Sequence, residues 1–310
     1  MKTKVLYSVV IPVYNSEKTL EELVSRIHLV FKKITPYYEV ILVDDGSQDH
    51  SWNLLEKFHR EDKRVKIIQL MRNYGQHAAI ICGFNYCSGM FVITMDDDLQ
   101  NPPEEIPKLI KAINNSDYDG ILAIPIESKH SLSRRLGSYV TDKFYNIIFN
   151  KPQNLKSSSF RILNKKITDH LSQNQCRYTA IGPLLFSLTL KLKNVDVLHN
   201  KRAVNKSNYD YIKLLKLAWG YIINYSILPL KFVSIVGIIS SFAGFMFAIY
   251  IIFMRFYKNQ VLSGWTSLIV VNLTFFGLIL FVFGIIGEYL IRILNQVNNS
   301  DIYVVRRFRK

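Results

Sequence analysis

The stretch YSVVIPV at residues 7–13 is a short, β-branched apolar run of the kind that forms a buried parallel strand. Four more apolar runs follow it, and a segment with helical spacing of apolar residues separates each run from the next. Strands are predicted at residues 7–13, 38–43, 65–70, 90–95 and 118–124, and helices after the turn at 15–17 and at 51–60, 76–86 and 103–113. This alternation predicts an α/β domain with a doubly wound, mostly parallel sheet and flanking helices.

An acid cluster, Asp96-Asp97-Asp98, follows the fourth predicted strand. Ligands of such sheets bind beyond the carboxyl ends of the strands. If the strand geometry continues, Asp96 and Asp98 project to one face, which suits Mg²⁺ or Mn²⁺ held together with substrate phosphates. A solvated loop is the alternative interpretation of this motif taken alone.

A second cluster, Asp44-Asp45-Gly46, follows the second predicted strand. One interpretation is an Asx-type turn with the glycine at the position of positive φ. The other is a pair of carboxylates that accept hydrogen bonds from a nucleobase or a ribose. Because both acid clusters follow strands of one predicted sheet, together they favour a nucleotide site.

The composition excludes several classes of protein. Hydrophobic residues make up 49% of the 310 residues and charged residues 20%, which excludes global disorder. The net charge of +15 indicates an anionic partner: nucleic acid, anionic lipid or a phosphorylated substrate. Three cysteines without metal-ligand spacing argue against a disulfide framework and a cysteine zinc site. No secretory signal is expected at the N-terminus.

Two long segments, residues 233–254 and 267–287, contain no charged residue, and each is long enough to cross a hydrocarbon core of about 30 Å. Buried core helices are the alternative. A short connection at 255–266 would make them a hairpin, and the basic residues on both outer flanks place these flanks in the cytoplasm by the positive-inside rule. Many aromatic residues lie in or beside these segments, so we expect no nucleic-acid partner.

The predicted organisation has four parts. Residues 1–207 form the cytoplasmic α/β domain, residues 208–230 an amphipathic interfacial helix, residues 231–290 a two-helix transmembrane hairpin, and residues 291–310 a basic cytoplasmic tail. An ordinary core helix is the alternative for the interfacial one.

Three motifs resemble the signature set of family 2 glycosyltransferases of the GT-A fold: VVIPVYN at 9–15, VDDGSQD at 43–49 and MDDDLQNPPE at 95–104. With the C-terminal hairpin, the chain is similar to the polyprenyl-phosphate glycosyltransferases, which include dolichol-phosphate mannose synthases and bactoprenol glucosyltransferases. The stretch RNYGQHAAIICGF at 72–84 most resembles the undecaprenyl-phosphate 4-deoxy-4-formamido-arabinose transferases. The resemblance implies a multi-pass protein of the bacterial inner membrane with both termini in the cytoplasm.

The resemblance also implies a role for each matching residue. The donor nucleotide would contact Pro12, Tyr14, Asp44, Asp45 and Asp96, and Mg²⁺ or Mn²⁺ would be held by Asp96 and Asp98. The catalytic residues would be Asp96, Asp98, Gln100 and Arg202, and the residues for acceptor and phosphate would be Arg134, Arg161, Arg202 and Ser207.

The chain departs from the family pattern at some of these elements. Pro125 and Ser128 stand where the family has basic residues, Ser159 stands where it commonly has Asp, and Asn205 and Asn208 replace Gly and Lys. These departures leave open which sugar is transferred and how the acceptor is positioned.

The resemblance implies an inverting transfer of a sugar from a UDP-sugar to undecaprenyl phosphate. The product would serve a flippase and the modification of a surface glycan or lipid A, and we expect a homo-oligomer. Two alternatives stay open: a glycosyltransferase that extends a glycan acceptor directly, and a degenerate paralogue that acts as a membrane scaffold.

Overall fold

The computed structural model describes residues 5–126, 155–173, 180–200, 264–297 and 301–310, together with scattered positions between 230 and 253. The chain divides into two compact units. One comprises Met1–Asn208 and Ser300–Lys310, and the other comprises Tyr209–Asn299.

The first unit alternates strands and helices in the order that the sequence predicts and continues beyond it. Its strands are β1 (Tyr7–Val13), β2 (Tyr38–Asp44), β3 (Val65–Leu70), β4 (Phe91–Thr94), β5 (Gly120–Pro125), β6 (Arg161–Asn164), β7 (Leu192–Val197) and β8 (Val305–Arg309). Its helices are α1 (Leu20–Ile34), α2 (Ser51–Glu61), α3 (Gln76–Asn85), α4 (Ile106–Asn114), α5 (Lys165–Ser172) and α6 (Ile181–Leu188), and a 3₁₀ turn at Pro103–Glu105 precedes α4.

The strands form one eight-stranded sheet in the order β7-β5-β6-β4-β1-β2-β3-β8. The centre, β4-β1-β2-β3, is parallel, and β5 is parallel to β7. β6 runs antiparallel between β4 and β5, and β8 is antiparallel to β3. The mostly parallel sheet with flanking helices is therefore confirmed, with two antiparallel strands that the sequence analysis did not assign.

Helices cover both faces of the sheet and bury a core on each. On one face, α1, α2 and α4 pack through residues such as Leu23, Leu55 and Leu109. On the other, α3, α5 and α6 pack through residues such as Phe84 and Leu185. Because both faces are covered, the central strands β1 and β2 are buried along their whole length.

The C-terminal residues that the sequence predicts as a basic tail include strand β8. Ile67 pairs with Arg309 and Ile68 with Phe308, and a register irregularity follows at Leu70. Local sequence pattern does not predict this pairing, because β3 lies far away in the sequence and three of the five residues of β8 are arginines.

In the second unit, helix α7 (Trp265–Val297) contains the predicted apolar segment 267–287. Several of its large apolar side chains are exposed, among them Leu268, Phe276, Leu280, Phe281 and Phe283. Counted over the residues that the structure describes, no helix is long and apolar enough to cross a membrane. Residues 208–229 of the predicted interfacial helix and ten of the 22 positions of the segment 233–254 lie outside the described residues.

Candidate active site

A cleft of about 380 Å³ opens at the carboxyl ends of β1, β2 and β4. β1 pairs in parallel with β2 on one side and β4 on the other, so the loops after these strands leave the sheet together. The cleft is lined by Pro12, Val13, Tyr14, Asp45, Asn73, Gly75, Gln76, Asp96, Asp97, Asp98 and Gln100. Among these are six of the predicted site residues: Pro12, Tyr14, Asp45, Asp96, Asp98 and Gln100.

Asp45 forms one wall of the cleft through two backbone hydrogen bonds. Its carboxylate accepts from the N–H groups of Tyr74 (2.7 Å) and Gly75 (2.8 Å), which ties the loop after β2 to the loop before α3. Burial raises the pKa of the Asp45 carboxyl, and the two backbone hydrogen bonds oppose this shift. The following residue, Gly46, has φ +73°, and a Cβ there would lie 2.7 Å from the carbonyl carbon of Arg72.

Asp44 points elsewhere. It is fully buried and does not line the cleft. Its carboxylate accepts hydrogen bonds from the Ser47 N–H (3.1 Å) and the Gln69 side-chain amide (3.3 Å). Of the two interpretations of this cluster, the Asx-type turn describes Asp44 and the cleft wall describes Asp45.

Asp96 lies in the loop beyond β4, which ends at Thr94, so the condition that strand geometry continues through Asp96 is not met. One carboxylate oxygen accepts from the Gln76 side-chain amide (2.5 Å) and the other from the Ser159 hydroxyl (2.6 Å). Burial raises the pKa of Asp96, and the Ser159 hydrogen bond opposes the shift. Asp96 is therefore oriented from both sides by uncharged donors.

Asp97, to which the sequence alone assigns no role, joins the loop after β4 to the loop after β1. The loop after β4, residues 95–100, is called the acid loop. It accepts hydrogen bonds from the Ser16 hydroxyl and from the Tyr14 N–H (3.2 Å). Burial raises the pKa of Asp97 to about 6, against the effect of these two bonds. The sequence signal for this role is the polar run Tyr14-Asn15-Ser16 directly after a buried strand.

Asp98 and Gln100 complete the acid loop. The Gln100 N–H donates to an Asp98 carboxylate oxygen (3.1 Å), and Leu99 between them has φ +59°, an unusual conformation for a bulky residue. Within the described residues, no three His, Cys, Asp or Glu side chains converge in one metal-binding group. Asp96 and Asp98 nevertheless fit a hard cation, because Mg²⁺ commonly binds one or two carboxylates and takes its other ligands from water and phosphate.

Residues 8–171 match the protein family described as glycosyl transferase family 2. The chain is 34% identical over 303 residues to an undecaprenyl-phosphate 4-deoxy-4-formamido-L-arabinose transferase of Proteus mirabilis, which covers 97% of this chain and 93% of that protein. It is 30% identical over 310 residues to the uncharacterized glycosyltransferase YkcC of Bacillus subtilis, over 99% of this chain and 95% of that one. The chain belongs to glycosyl transferase family 2.

A solved structure supports the same fold. Glucosyl-3-phosphoglycerate synthase from Mycobacterium tuberculosis, in complex with Mn²⁺, uridine diphosphate and phosphoglyceric acid, superposes with a TM-score of 0.52 at 15% identity. The match covers 70% of this chain and 78% of that one. This likeness shows that the fold is a GT-A-like mixed sheet with flanking helices. The family match and the relatives show that the chain described here is a glycosyltransferase.

Arg161 of this glycosyltransferase lies beneath the cleft rather than in its wall. It is 2% exposed, and its Nε donates to the Thr94 hydroxyl (3.1 Å), which in turn donates to the Ser159 carbonyl (2.6 Å). Burial lowers the pKa of Arg161 to about 10, and the charge of Asp96 opposes this shift. The arginine thus supports the Ser159–Asp96 pair from below, and a direct contact with substrate phosphate stays a prediction.

The segment before the predicted Arg202 element is bound to the acid loop. Asn200 N–H donates to the Gln100 carbonyl (2.8 Å), and Leu198 N–H donates to the buried Glu105 carboxylate (3.2 Å). Asn200, the last described residue of this segment, is therefore hydrogen-bonded directly to the loop that carries Asp98. The predicted site residues Arg134, Arg202 and Ser207 lie outside the described residues.

Proposed function

We propose that this glycosyltransferase moves a sugar from a UDP-sugar to undecaprenyl phosphate at the cytoplasmic face of a bacterial inner membrane, with inversion at the anomeric carbon. The lipid-linked product would pass to a flippase and serve the modification of a surface glycan or lipid A. The observation that carries this proposal is the single cleft that unites Tyr14 and Asp45 with Asp96 and Asp98.

Two sets of cleft residues suit two parts of a nucleotide-sugar. Tyr14 is 44% exposed, and its ring can offer a face for the base. The Asp45 carboxylate has lone pairs beyond those used by Tyr74 and Gly75, and these can accept from a ribose hydroxyl or a base N–H. Asp96 and Asp98 would hold Mg²⁺ or Mn²⁺ against the diphosphate.

The transfer needs charge and position more than it needs a strong base. The second pKa of a phosphate monoester is about 6, so the acceptor phosphate is already an anion near neutral pH. Its oxygen attacks the anomeric carbon, the bond from that carbon to the nucleoside diphosphate breaks, and UDP leaves with the electron pair. A bound divalent cation supplies positive charge for this leaving group. The protein aligns the two anions through the acid loop and the proposed Arg202.

The relatives support both substrates. The Proteus mirabilis relative is named for transfer involving undecaprenyl phosphate, and the chain matches it over nearly its whole length. The structurally similar synthase is solved with Mn²⁺ and uridine diphosphate, which supports a divalent cation and a uridine donor.

The acceptor also explains the apolar segments. A polyprenyl chain keeps its phosphate at the headgroup level of the bilayer, so the enzyme must work there. We propose that residues 231–290 form the membrane hairpin, with the helix at 208–230 in the interface plane and the basic termini on the cytoplasmic side. Small residues in the first segment, such as Gly237 and Gly244, allow close helix packing in a homo-oligomer.

The test uses the full-length protein in detergent with undecaprenyl phosphate, Mg²⁺ or Mn²⁺ and a panel of UDP-sugars. Lipid-linked sugar and released UDP are both measured. We expect transfer from one donor, complete dependence on the cation, and loss of transfer in Asp98→Asn. Asp117→Asn makes the same charge change at an exposed site away from the cleft and should retain full activity.

Each other outcome selects an alternative. Release of UDP with transfer to a glycan hydroxyl, and none to the lipid phosphate, would identify a glycan-extending enzyme. Absence of metal-dependent UDP binding would contradict the proposal and favour the degenerate scaffold.

A further inference from the structure

The end of the chain returns to the catalytic unit after the whole of residues 209–299. The last strand of the sheet, β8 (Val305–Arg309), lies along β3, and Tyr303 and Val304 precede it. Two faces of this segment make different contacts. Arg309 pairs with Glu56 of α2 (Nη2–Oε1 2.9 Å) on one side of the sheet, whereas Tyr303 and Val305 pack against the core that contains α3.

Several contacts join this segment to α3 and the loop before it, including one between the Tyr303 hydroxyl and the Cys82 thiol. The Met71 N–H donates to the Val304 carbonyl (2.9 Å). The Asn85 side-chain amide donates to the Tyr303 hydroxyl (2.8 Å). The ring of Phe308 lies against that of Tyr86, with centroids 4.4 Å apart. The segment thus holds both ends of the stretch from Met71 to Tyr86.

The same stretch forms a wall of the cleft. Tyr74 and Gly75 donate their N–H groups to Asp45, and the Gln76 side chain donates to Asp96. Residues 71–76 therefore contact both acid clusters on one side, and the Met71 N–H contacts the C-terminal segment on the other.

The first three residues of the loop are positioned mainly through the backbone. The side chains of Met71, Arg72 and Asn73 are exposed, so no buried side chain anchors these three residues. Gly75 has φ +95° and no atom within 4 Å of where a Cβ would stand, so local packing does not restrict it. Backbone hydrogen bonds to Asp45 in front and Val304 behind support the loop, together with the packing of Tyr74 on the core and the close approach of Gly46 to Arg72.

We propose that Tyr303, Val304 and Phe308 are positioning residues of the donor site. They hold residues 71–76 so that Asp45 and Asp96 present the geometry that binds the nucleoside diphosphate. The donor site is then complete only when the chain has returned from residues 209–299 to the edge of the sheet. This inference rests on the proposed donor and deepens it, because it names what orders the site.

The test compares full-length variants in detergent by calorimetric titration with UDP in the presence of Mn²⁺. Tyr303→Phe/Phe308→Ala removes the hydroxyl that contacts Asn85 and Cys82 and the ring that contacts Tyr86, and should weaken UDP binding by about tenfold. Arg309→Ala lies on the same strand but contacts α2, so its UDP affinity should stay within about twofold of wild type.

A stability control separates positioning from folding. Phe58→Ala removes a buried ring from the opposite core, where it contacts neither α3 nor residues 71–76, and should lower the unfolding midpoint without changing UDP affinity below that midpoint. If Tyr303→Phe/Phe308→Ala lowers the midpoint as Phe58→Ala does and binds UDP like wild type, the strand only stabilises the fold and the inference is wrong.

Amide hydrogen exchange gives a readout that needs no ligand. We expect faster exchange at residues 71–76 in Tyr303→Phe/Phe308→Ala and unchanged exchange there in Arg309→Ala. If wild-type protein binds no UDP, the proposed function fails while exchange still tests the positioning. Unchanged exchange in both variants would overturn the inference even if UDP binds.

Discussion

At the scale of single residues, the shape of the cleft depends on backbone conformations that few side chains permit. Gly46 follows Asp45 with φ +73° and approaches the backbone of Arg72 closely. Asn15 and Leu99, on the neighbouring loops, also have positive φ. All three residues lie next to acids or aromatics of the cleft, where the chain must turn sharply to present them.

Gly46→Ala should be costly for two reasons. The left-handed conformation alone costs about 1–2 kcal/mol in an L-residue, and the new Cβ would also meet the Arg72 backbone. At about 2–4 °C for each kcal/mol lost, the backbone conformation alone would lower the unfolding midpoint by about 2–8 °C. We expect a larger decrease in Gly46→Ala, measured by thermal unfolding. A decrease within that range would show that the contact with Arg72 is unimportant.

The role of Ser159 in orienting Asp96 cannot be inferred from its residue type alone. The family commonly carries a carboxylate at this position, whereas here a hydroxyl donates to Asp96. Ser159→Ala leaves one Asp96 oxygen without this partner, so metal-dependent UDP affinity should fall by about tenfold to a hundredfold, as expected for one hydrogen bond to a charged group. Ser116→Ala, which loses only bonds to the carbonyls of α4, is the matched control for titration calorimetry. Unaltered affinity in Ser159→Ala would show that Gln76 alone orients Asp96.

At the scale of elements, loops that leave different strands hold one another in place. Asp45 joins the loop after β2 to the start of α3, and Asp97 joins the loop after β4 to the loop after β1. Behind the acid loop, Arg26 of α1 donates two hydrogen bonds (2.9 and 2.6 Å) to the carboxylate of Glu104 in the 3₁₀ turn. The site is therefore a network between elements rather than a property of one motif.

The Arg26–Glu104 pair predicts a pH dependence. The hydrogen bond from Arg26 lowers the pKa of Glu104 from its ordinary value of 4.5. A lowered pKa in the folded state means that the pair stabilises the protein above about pH 4.5 and that this contribution is lost as the pH falls through the folded-state pKa. Because Glu104 is half exposed, the effect is about 0.5 kcal/mol.

Thermal unfolding of wild type and Glu104→Gln at pH 7 and pH 3 checks this expectation. The wild type should have the higher midpoint at pH 7, and the difference should vanish at pH 3. A difference of the same size at both values would mean that the carboxylate charge is not its cause.

At the scale of the whole molecule, two compact units alternate along the chain. The catalytic unit surrounds residues 209–299 in sequence, since it contains residues on both sides of them. This arrangement gives the C-terminal residues access to the edge strand β3 and, through Met71 and α3, to the donor cleft.

The proposed hairpin predicts how the full-length protein behaves in membranes. We expect it to stay in the membrane pellet after high-salt and alkaline carbonate washes and to be released by detergent, because two uncharged segments of about 20 residues would span the bilayer. Release by salt alone would indicate that basic residues hold the protein on the surface, and would contradict the hairpin.

The sequence alone determined the features that depend on local pattern. Alternating apolar runs and helical segments predicted β1 to β5 and α1 to α4, because the periodicities of strands and helices depend only on residues that are close together in the sequence. The acid clusters at strand ends, with the motifs around them, predicted the family and the edge of the sheet that holds the cleft.

The tertiary structure decided which atoms of these motifs face the cleft. Asp44 turns into the protein and Asp45 into the cleft, Arg161 lies beneath Asp96, and Asp97 joins two loops. It also decided that the C-terminal residues form β8. Apart from the short-range bond between Ser47 and Asp44, these outcomes depend on partners dozens to hundreds of residues away. Burial and hydrogen bonding between such partners exist only after the chain has folded.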